Sequence, residues 1–220
     1  MYLNMKKIAV LISGSGSNSE AIIRACNEKL INGIVVNVIS NNPDAFGLIR
    51  ARELGIKTKI IDHRKFISRI KFEDELTKYL DQLDVDLIVL AGFMRILGKK
   101  ITEKFSSKMI NLHPSLLPLY PGLNTHNKVL ENNDEVHGIS IHFVSSELDA
   151  GPLIAQGIIK IDKNETFQSL VYRIHKIEHE LLPQVINEIC NKNIYLDEDG
   201  VKFNNIDLNN KKILIKNYEI

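Results

Sequence analysis

Cysteine is scarce, neither positive nor negative side chains are in excess, and no apolar run is long. The two cysteines, Cys26 and Cys190, fall in predicted helices and read as reduced thiols, which excludes a disulfide framework and implies a reducing compartment. With 28 basic and 27 acidic side chains the formal net charge is +1, so no basic excess points to nucleic acid and no block of like charge makes a tail. The first apolar run, Ile8 to Ile12, is broken at once by Ser13-Gly14 and is too short for a signal peptide or a membrane span. These absences predict a cytoplasmic protein with no nucleic-acid and no membrane partner. No repeat or low-complexity tract interrupts the 220 residues, which suffice for a substantial core in one unit.

What is present is an alternation of β-rich runs and amphipathic stretches. Strands are predicted over 7–12, 34–40, 57–61, 87–91, 109–112, 136–144 and 153–161, and helices over about 19–30, 44–54, 71–83, 99–105, 124–132 and 165–191. This order predicts an α/β fold, doubly wound, with a mostly parallel sheet and helices on both faces. Too little chain lies between the last two strands for a helical crossover, so these late strands are expected to be antiparallel. After about residue 192 the chain is Asn-rich, with a hairpin-like Asp197-Glu198-Asp199-Gly200 turn, and reads as a peripheral β appendage. Ligands of open α/β sheets gather beyond the carboxyl ends of the strands. Segments 13–18, 41–44, 91–97, 111–118 and 145–152 are expected to converge there.

Gly14-Ser15-Gly16-Ser17-Asn18 follows the first strand and opens the first helix. Glycines let a backbone approach an anion, and a helix N-terminus offers free N–H groups. A dinucleotide fingerprint needs Gly or Ala where Ser19 stands and an acid where the second strand ends in Ser40-Asn41-Asn42; a P-loop needs a Gly-Lys-Ser/Thr that is missing. A phosphate monoester is the better guest than NAD or ATP. The alternative is a tight turn capped by Ser17 or Asn18.

Asn111-Leu112-His113-Pro114-Ser115-Leu116-Leu117-Pro118 ends an apolar run. Strand alternation sends Asn111 and His113 to one side, and Pro114 biases His113 toward extended backbone. One face thus carries a neutral hydrogen-bond donor beside a titratable acid/base, although such a pair also serves structurally. Ser145-Ser146-Glu147-Leu148-Asp149-Ala150-Gly151-Pro152 adds a carboxylate in a turn-rich loop. Glu178 falls on the same helical face as Val171, Ile174, Leu181, Val185 and Ile189, so its carboxylate needs a salt-bridge partner or a ligand. His175-Lys176-Ile177-Glu178-His179 formally matches a zinc-peptidase pattern that nothing else in the chain supports. His126, His137 and His142 read as packing or hydrogen-bonded histidines, and His63 carries no signal.

Asn111, His113 and Asp149 in these settings resemble the active site of the folate-dependent formyltransferases. The likeness covers about residues 6 to 190 and includes the glycine loop, Asp44-Ala45-Phe46-Gly47, Ala91-Gly92-Phe93-Met94-Arg95-Ile96-Leu97 and Tyr120-Pro121-Gly122-Leu123. It implies one domain over 1–220: a nucleotide-binding half to about 105, a catalytic and folate half over about 106–192, and the tail. It implies transfer of the formyl group of 10-formyltetrahydrofolate, a co-substrate, to the amine of glycinamide ribonucleotide in purine biosynthesis, without metal, in a monomer or homodimer. Gly16, Ser17, Asn18 and Glu178 would hold the ribonucleotide. Met94, Arg95, Ile96 and Leu97 would hold the folate, with Asn111, Ser145, Ser146, Glu147, Leu148 and Asp149, and Arg69 would meet its acidic tail. Asn111 and protonated His113 would stabilise the oxyanion, Asp149 favouring the imidazolium. With no recognisable nucleophile elbow, direct transfer is expected.

Alternatives are a formyltetrahydrofolate hydrolase, a formyltransferase acting on another amine, and a non-catalytic phosphoribosyl-binding module. The hydrolase relatives carry a further N-terminal domain and the transfer-RNA relatives a further C-terminal module, for which the chain has no room. Asn124 and Leu119 depart from the family, which often has a second histidine and a basic residue there.

Overall fold

Continuous runs of β-branched residues and leucine become the buried centre of one sheet, as strands covered on both faces require. In the computed structural model, which describes residues 5–208 and 212–220, the first half comprises β1 (Lys6–Ile12), α1 (Ser17–Asn27), β2 (Gly33–Ser40), α2 (Phe46–Glu53), β3 (Thr58–Ile60), α3 (Arg69–Leu83), β4 (Leu87–Leu90) and α4 (Lys99–Lys104). Then come β5 (Met109–His113), α5 (Thr125–Glu131), β6 (Val136–Phe143), β7 (Leu153–Lys160) and α6 (Phe167–Cys190). The tail supplies β8 (Ile194–Asp197), β9 (Gly200–Phe203) and β10 (Leu214–Tyr218). Among the described residues no helix is long and apolar enough to cross a membrane.

The main sheet runs in the order β10-β7-β6-β5-β4-β1-β2-β3. Strands β1 to β5 pair in parallel, whereas β6 is antiparallel to both β5 and β7, as the short loop between β6 and β7 demands. Alternation along β1 divides the core: Ile8, Val10 and Ile12 pack with α1, α2 and α6, while Ala9 and Leu11 pack with α3 and α4. The chain leaves β1 toward β3, then returns to lay β4 on the other side of β1. That reversal opens a crevice at the carboxyl ends of β1 and β4.

The structure differs from the sequence expectations at α1 and in the tail. Helix α1 begins two residues early, directly on the glycine turn, because Gly16 (φ +71°) takes the left-handed conformation at its N-cap. The tail is more than a hairpin: β8 and β9 do pair through the Asp197–Gly200 turn, but β10 extends the main sheet, parallel to β7.

Candidate active site

A cavity of about 740 Å³ lies beyond the carboxyl ends of β1, β4 and β5. It is lined by 13–18, 90–97, 111–114, 122–127 and 144–149, with His142, Phe167, His175 and Glu178. Four of the five expected segments are therefore assembled. The fifth, 41–44, stands behind the wall: Asn41 accepts from Ser13 Oγ at 2.5 Å, and Ser13 Oγ accepts from the Met94 N–H at 2.7 Å. Ser13 thus ties the end of β1 to the loop after β4.

At one end, α1 starts with no side-chain cap, so the alternative of a turn capped by Ser17 or Asn18 is not what forms. The first-turn N–H groups are left for another acceptor. Gly16 is demanded by the fold itself: a Cβ there would overlap the Cα of Gly47, whose N–H bonds the Gly14 carbonyl at 3.0 Å. At Gly14, by contrast, a Cβ would meet nothing within 4 Å. Asn18 Nδ2 donates to Glu178 Oε2 at 2.8 Å, while Asn18 Oδ1 is buried without a protein partner among the described residues. Burial pushes the Glu178 carboxyl up to about 7, against the pull of the Asn18 bond. His175 Nε2 stands 3.9 Å from the same carboxylate. The predicted set Gly16, Ser17, Asn18 and Glu178 is thus gathered around a niche with N–H donors and one carboxylate.

In the centre, the β5–β6 register sets Asn111 opposite His142 and His113 opposite Ser140. The loop after β6 returns Asp149 to this pair. Gly151 makes that return possible, since a Cβ there would collide with the carbonyl of Phe143. Asp149 itself takes φ +51°, a conformation in which Asp is among the tolerated residues. Its Oδ2 accepts from the Gly122 N–H at 2.8 Å and lies 3.4 Å from His113 Nδ1. Its Oδ1 accepts from Asn111 Nδ2 at 3.3 Å. The other ring nitrogen of His113, Nε2, lies 2.9 Å from the Tyr120 carbonyl. Both nitrogens of His113 face oxygen acceptors, so the ring is fully satisfied only when doubly protonated. To donate to a substrate oxygen, His113 has to exchange one of these contacts. The sequence brought the triad together on paper but did not reveal that Tyr120 competes for its histidine.

Met94, Arg95, Ile96 and Leu97 line a further wall, with Met94 and Ile96 exposed and Leu97 buried. Ser145, Ser146, Glu147 and Leu148 line the same cavity. Arg69 is not among the lining residues. It pairs with Glu73 at 3.2 Å and lies behind Gly98, just past that wall.

Several lining residues carried no usable signal in the sequence. His126 Nδ1 and His137 Nε2 are 2.9 Å apart, and burial holds both rings neutral, at about 4 and about 3. Which helical residues face a cavity depends on how each helix is rotated on the sheet, so His126 and His175 were legible only in three dimensions. Asn124 lines the cavity at φ +61°, a left-handed conformation that asparagine adopts more readily than most residues. Leu119 is exposed and outside the lining.

A doubly wound sheet thus carries an Asn/His/Asp cluster beyond β5 and β6, in one cavity with an uncapped glycine turn, and comparison with known proteins gives the class of protein built this way. The formyl transferase family matches residues 6–186, and the chain belongs to that family. It is 44% identical over 193 residues to the phosphoribosylglycinamide formyltransferase of Escherichia coli K12, covering 88% of this chain and 91% of that one. The Bacillus subtilis enzyme of the same name is 35% identical over 189 residues, 86% of this chain and 97% of that one. Among solved structures, the phosphoribosylglycinamide formyltransferase of Coxiella burnetii superposes with a TM-score of 0.90 at 43% identity, over 96% of this chain and 99% of that one.

Proposed function

We propose that this protein transfers the formyl group of 10-formyltetrahydrofolate to the amine of 5'-phosphoribosylglycinamide, a step of purine biosynthesis. The observation that carries the reading is that one cavity is lined at once by Asn18 and Glu178, by Asn111, His113 and Asp149, and by residues 94–97. A ribonucleotide and a folate laid end to end bring an amine and a formyl carbon to the triad.

The residues present fit both guests. The uncapped first turn of α1 suits a phosphate monoester, and the Glu178 carboxylate accepts from ribose hydroxyls. The 94–97 backbone and the apolar side chains of Met94, Ile96, Leu97 and Leu148 suit a flat heterocycle with hydrogen-bonding edges. Arg69, behind that wall, suits the acidic end of a folate. The formyl-folate supplies an electrophilic one-carbon unit. Asn111 and His113 present N–H groups to the formyl oxygen as negative charge develops there, with His113 released from Tyr120 and one Asn111 N–H released from Asp149. Asp149 balances the charge of His113 and, through water, accepts the proton that leaves the amine; the tetrahedral carbon then breaks its bond to the folate nitrogen, which takes up a proton as tetrahydrofolate departs.

The test is turnover of 10-formyltetrahydrofolate by purified protein with and without glycinamide ribonucleotide. Folate product formed only with the nucleotide supports the reading. Equal turnover without it would assign a hydrolase instead.

A further inference from the structure

The hydrogen bonds of Asn111 leave one question about the central cluster: what keeps the donor end of its amide facing Asp149. A terminal amide can turn by 180° at little steric cost, and its two ends have opposite chemistry. With the ends exchanged, Asn111 would set a carbonyl oxygen against the Asp149 carboxylate and offer no N–H to the reacting centre.

The answer lies in His142, directly opposite Asn111 across the β5–β6 ladder and 2% exposed. Its Nδ1 is 2.8 Å from the Phe143 carbonyl oxygen, which can only accept, so Nδ1 carries a proton. Burial lowers the pKa of the ring and favours its neutral form. In a neutral ring protonated on Nδ1, Nε2 is a bare acceptor. That nitrogen lies 3.2 Å from Asn111 Nδ2. The charged and titratable groups facing the ring are Asp149, whose Oδ1 is 3.8 Å from Nε2, and His113 on β5. A neutral imidazole acceptor and a carboxylate thus constrain the same NH₂ group independently, and both require the same end of the amide.

We infer that His142 is a positioning residue for formyl transfer: the Phe143 carbonyl selects its tautomer, and the bare Nε2 then holds the donor end of Asn111 at the reacting centre. The inference rests on the proposed function for its kinetic consequence, but its chemical statement concerns the ring and the amide alone. Glutamine offers an acceptor oxygen at similar reach, and leucine offers none.

The decisive experiment combines ¹⁵N NMR of the histidine rings with kinetics of two variants. In the wild-type protein the His142 ring is expected as the Nδ1–H tautomer, the minority form of free imidazole, with both Asn111 side-chain N–H resonances protected from exchange. His142→Leu should release one of those resonances and lower kcat by about a hundredfold, the scale of a misplaced reacting group, while KM for each substrate stays within about threefold. His142→Gln should restore kcat to within about tenfold of wild type, on the scale of about 1.4 kcal/mol. An Nε2–H tautomer in the wild type overturns the inference, as does a His142→Leu variant with wild-type kcat. If His142→Leu does not fold, the wild-type tautomer and the glutamine variant decide. A wild type without formyl transfer would instead strike the proposed function, and the ring and amide resonances would still decide this inference.

Discussion

Asn18 and Glu178 are 160 residues apart in the chain, yet the amide nitrogen of one lies 2.8 Å from the carboxylate oxygen of the other. The contact joins the first turn of α1 to the middle of α6, two helices that pack on the same face of the sheet. It also holds a carboxylate in a place where ionisation is disfavoured. Burial raises the Glu178 carboxyl from 4.5 to about 7, so between those values the folded chain keeps a proton that the unfolded chain has lost. The unfolded state then binds fewer protons, and stability falls as pH rises through that window.

Replacing the carboxyl by an amide should remove this penalty. Glu178→Gln keeps an oxygen for Asn18 and is expected to be more stable than wild type at pH 8, by up to about 3 kcal/mol. Near pH 4.5 the two should unfold alike. The same variant should bind the ribonucleotide more weakly, a trade of function against stability. Urea unfolding at the two pH values checks it; an equal loss of stability at both would refute the assignment.

The glycine loop separates a folding requirement from a binding one. Gly16 is left-handed and pressed against Gly47, so Gly16→Ala should cost on the order of 1–3 kcal/mol and weaken every ligand. That makes it a poor probe of phosphate binding, whatever the sequence pattern invites. Gly14 has room for a Cβ and lines the cavity. Gly14→Ala is therefore expected to melt near the wild-type temperature while losing affinity for the ribonucleotide and keeping that for the folate. Separate calorimetric titrations would show this, and loss of folate with retention of nucleotide would reverse the two ends of the site.

Removing an oxyanion donor typically costs about 3 kcal/mol, a hundred- to a thousandfold in turnover. Asn111→Ala should show a loss of that size with folate affinity largely intact. Turnover within about threefold of wild type would remove Asn111 from the chemistry.

Asp149 accepts from Gly122 and Asn111 and faces His113. In Asp149→Asn one end of the new amide can still accept from Gly122, but no negative charge faces His113 and a donor must oppose another donor. Turnover at neutral pH should fall well over tenfold, on the scale of lost electrostatic stabilisation. Full activity in this variant would break the pairing.

Much of this was legible in the sequence because it is local. The apolar runs of β1 and β4, the period of α6 and the placement of Glu178 on its buried face follow from spacing alone. The antiparallel turn of β6 and β7 followed from loop length. What stayed hidden depends on contacts between distant segments. The pairing of β10 with β7 is set by a parallel register across more than fifty residues. The bond from Asn111 to His142 needs the β5–β6 register, and the competition of Tyr120 for His113 needs the path of the loop between them. Segment 41–44 looked like cavity wall but supports it instead, because Asn41 turns toward Ser13 and His63.

The central claim is that one cavity joins a formyl donor to a ribonucleotide amine. It is tested most directly by following the carbon itself, with 10-formyltetrahydrofolate labelled with ¹³C in the formyl group, glycinamide ribonucleotide and the wild-type protein, observed by NMR. The account predicts that the label appears as the formamide carbon of the formylated nucleotide, with nothing beyond trace free formate. Label released as formate, with the nucleotide unchanged, would contradict it.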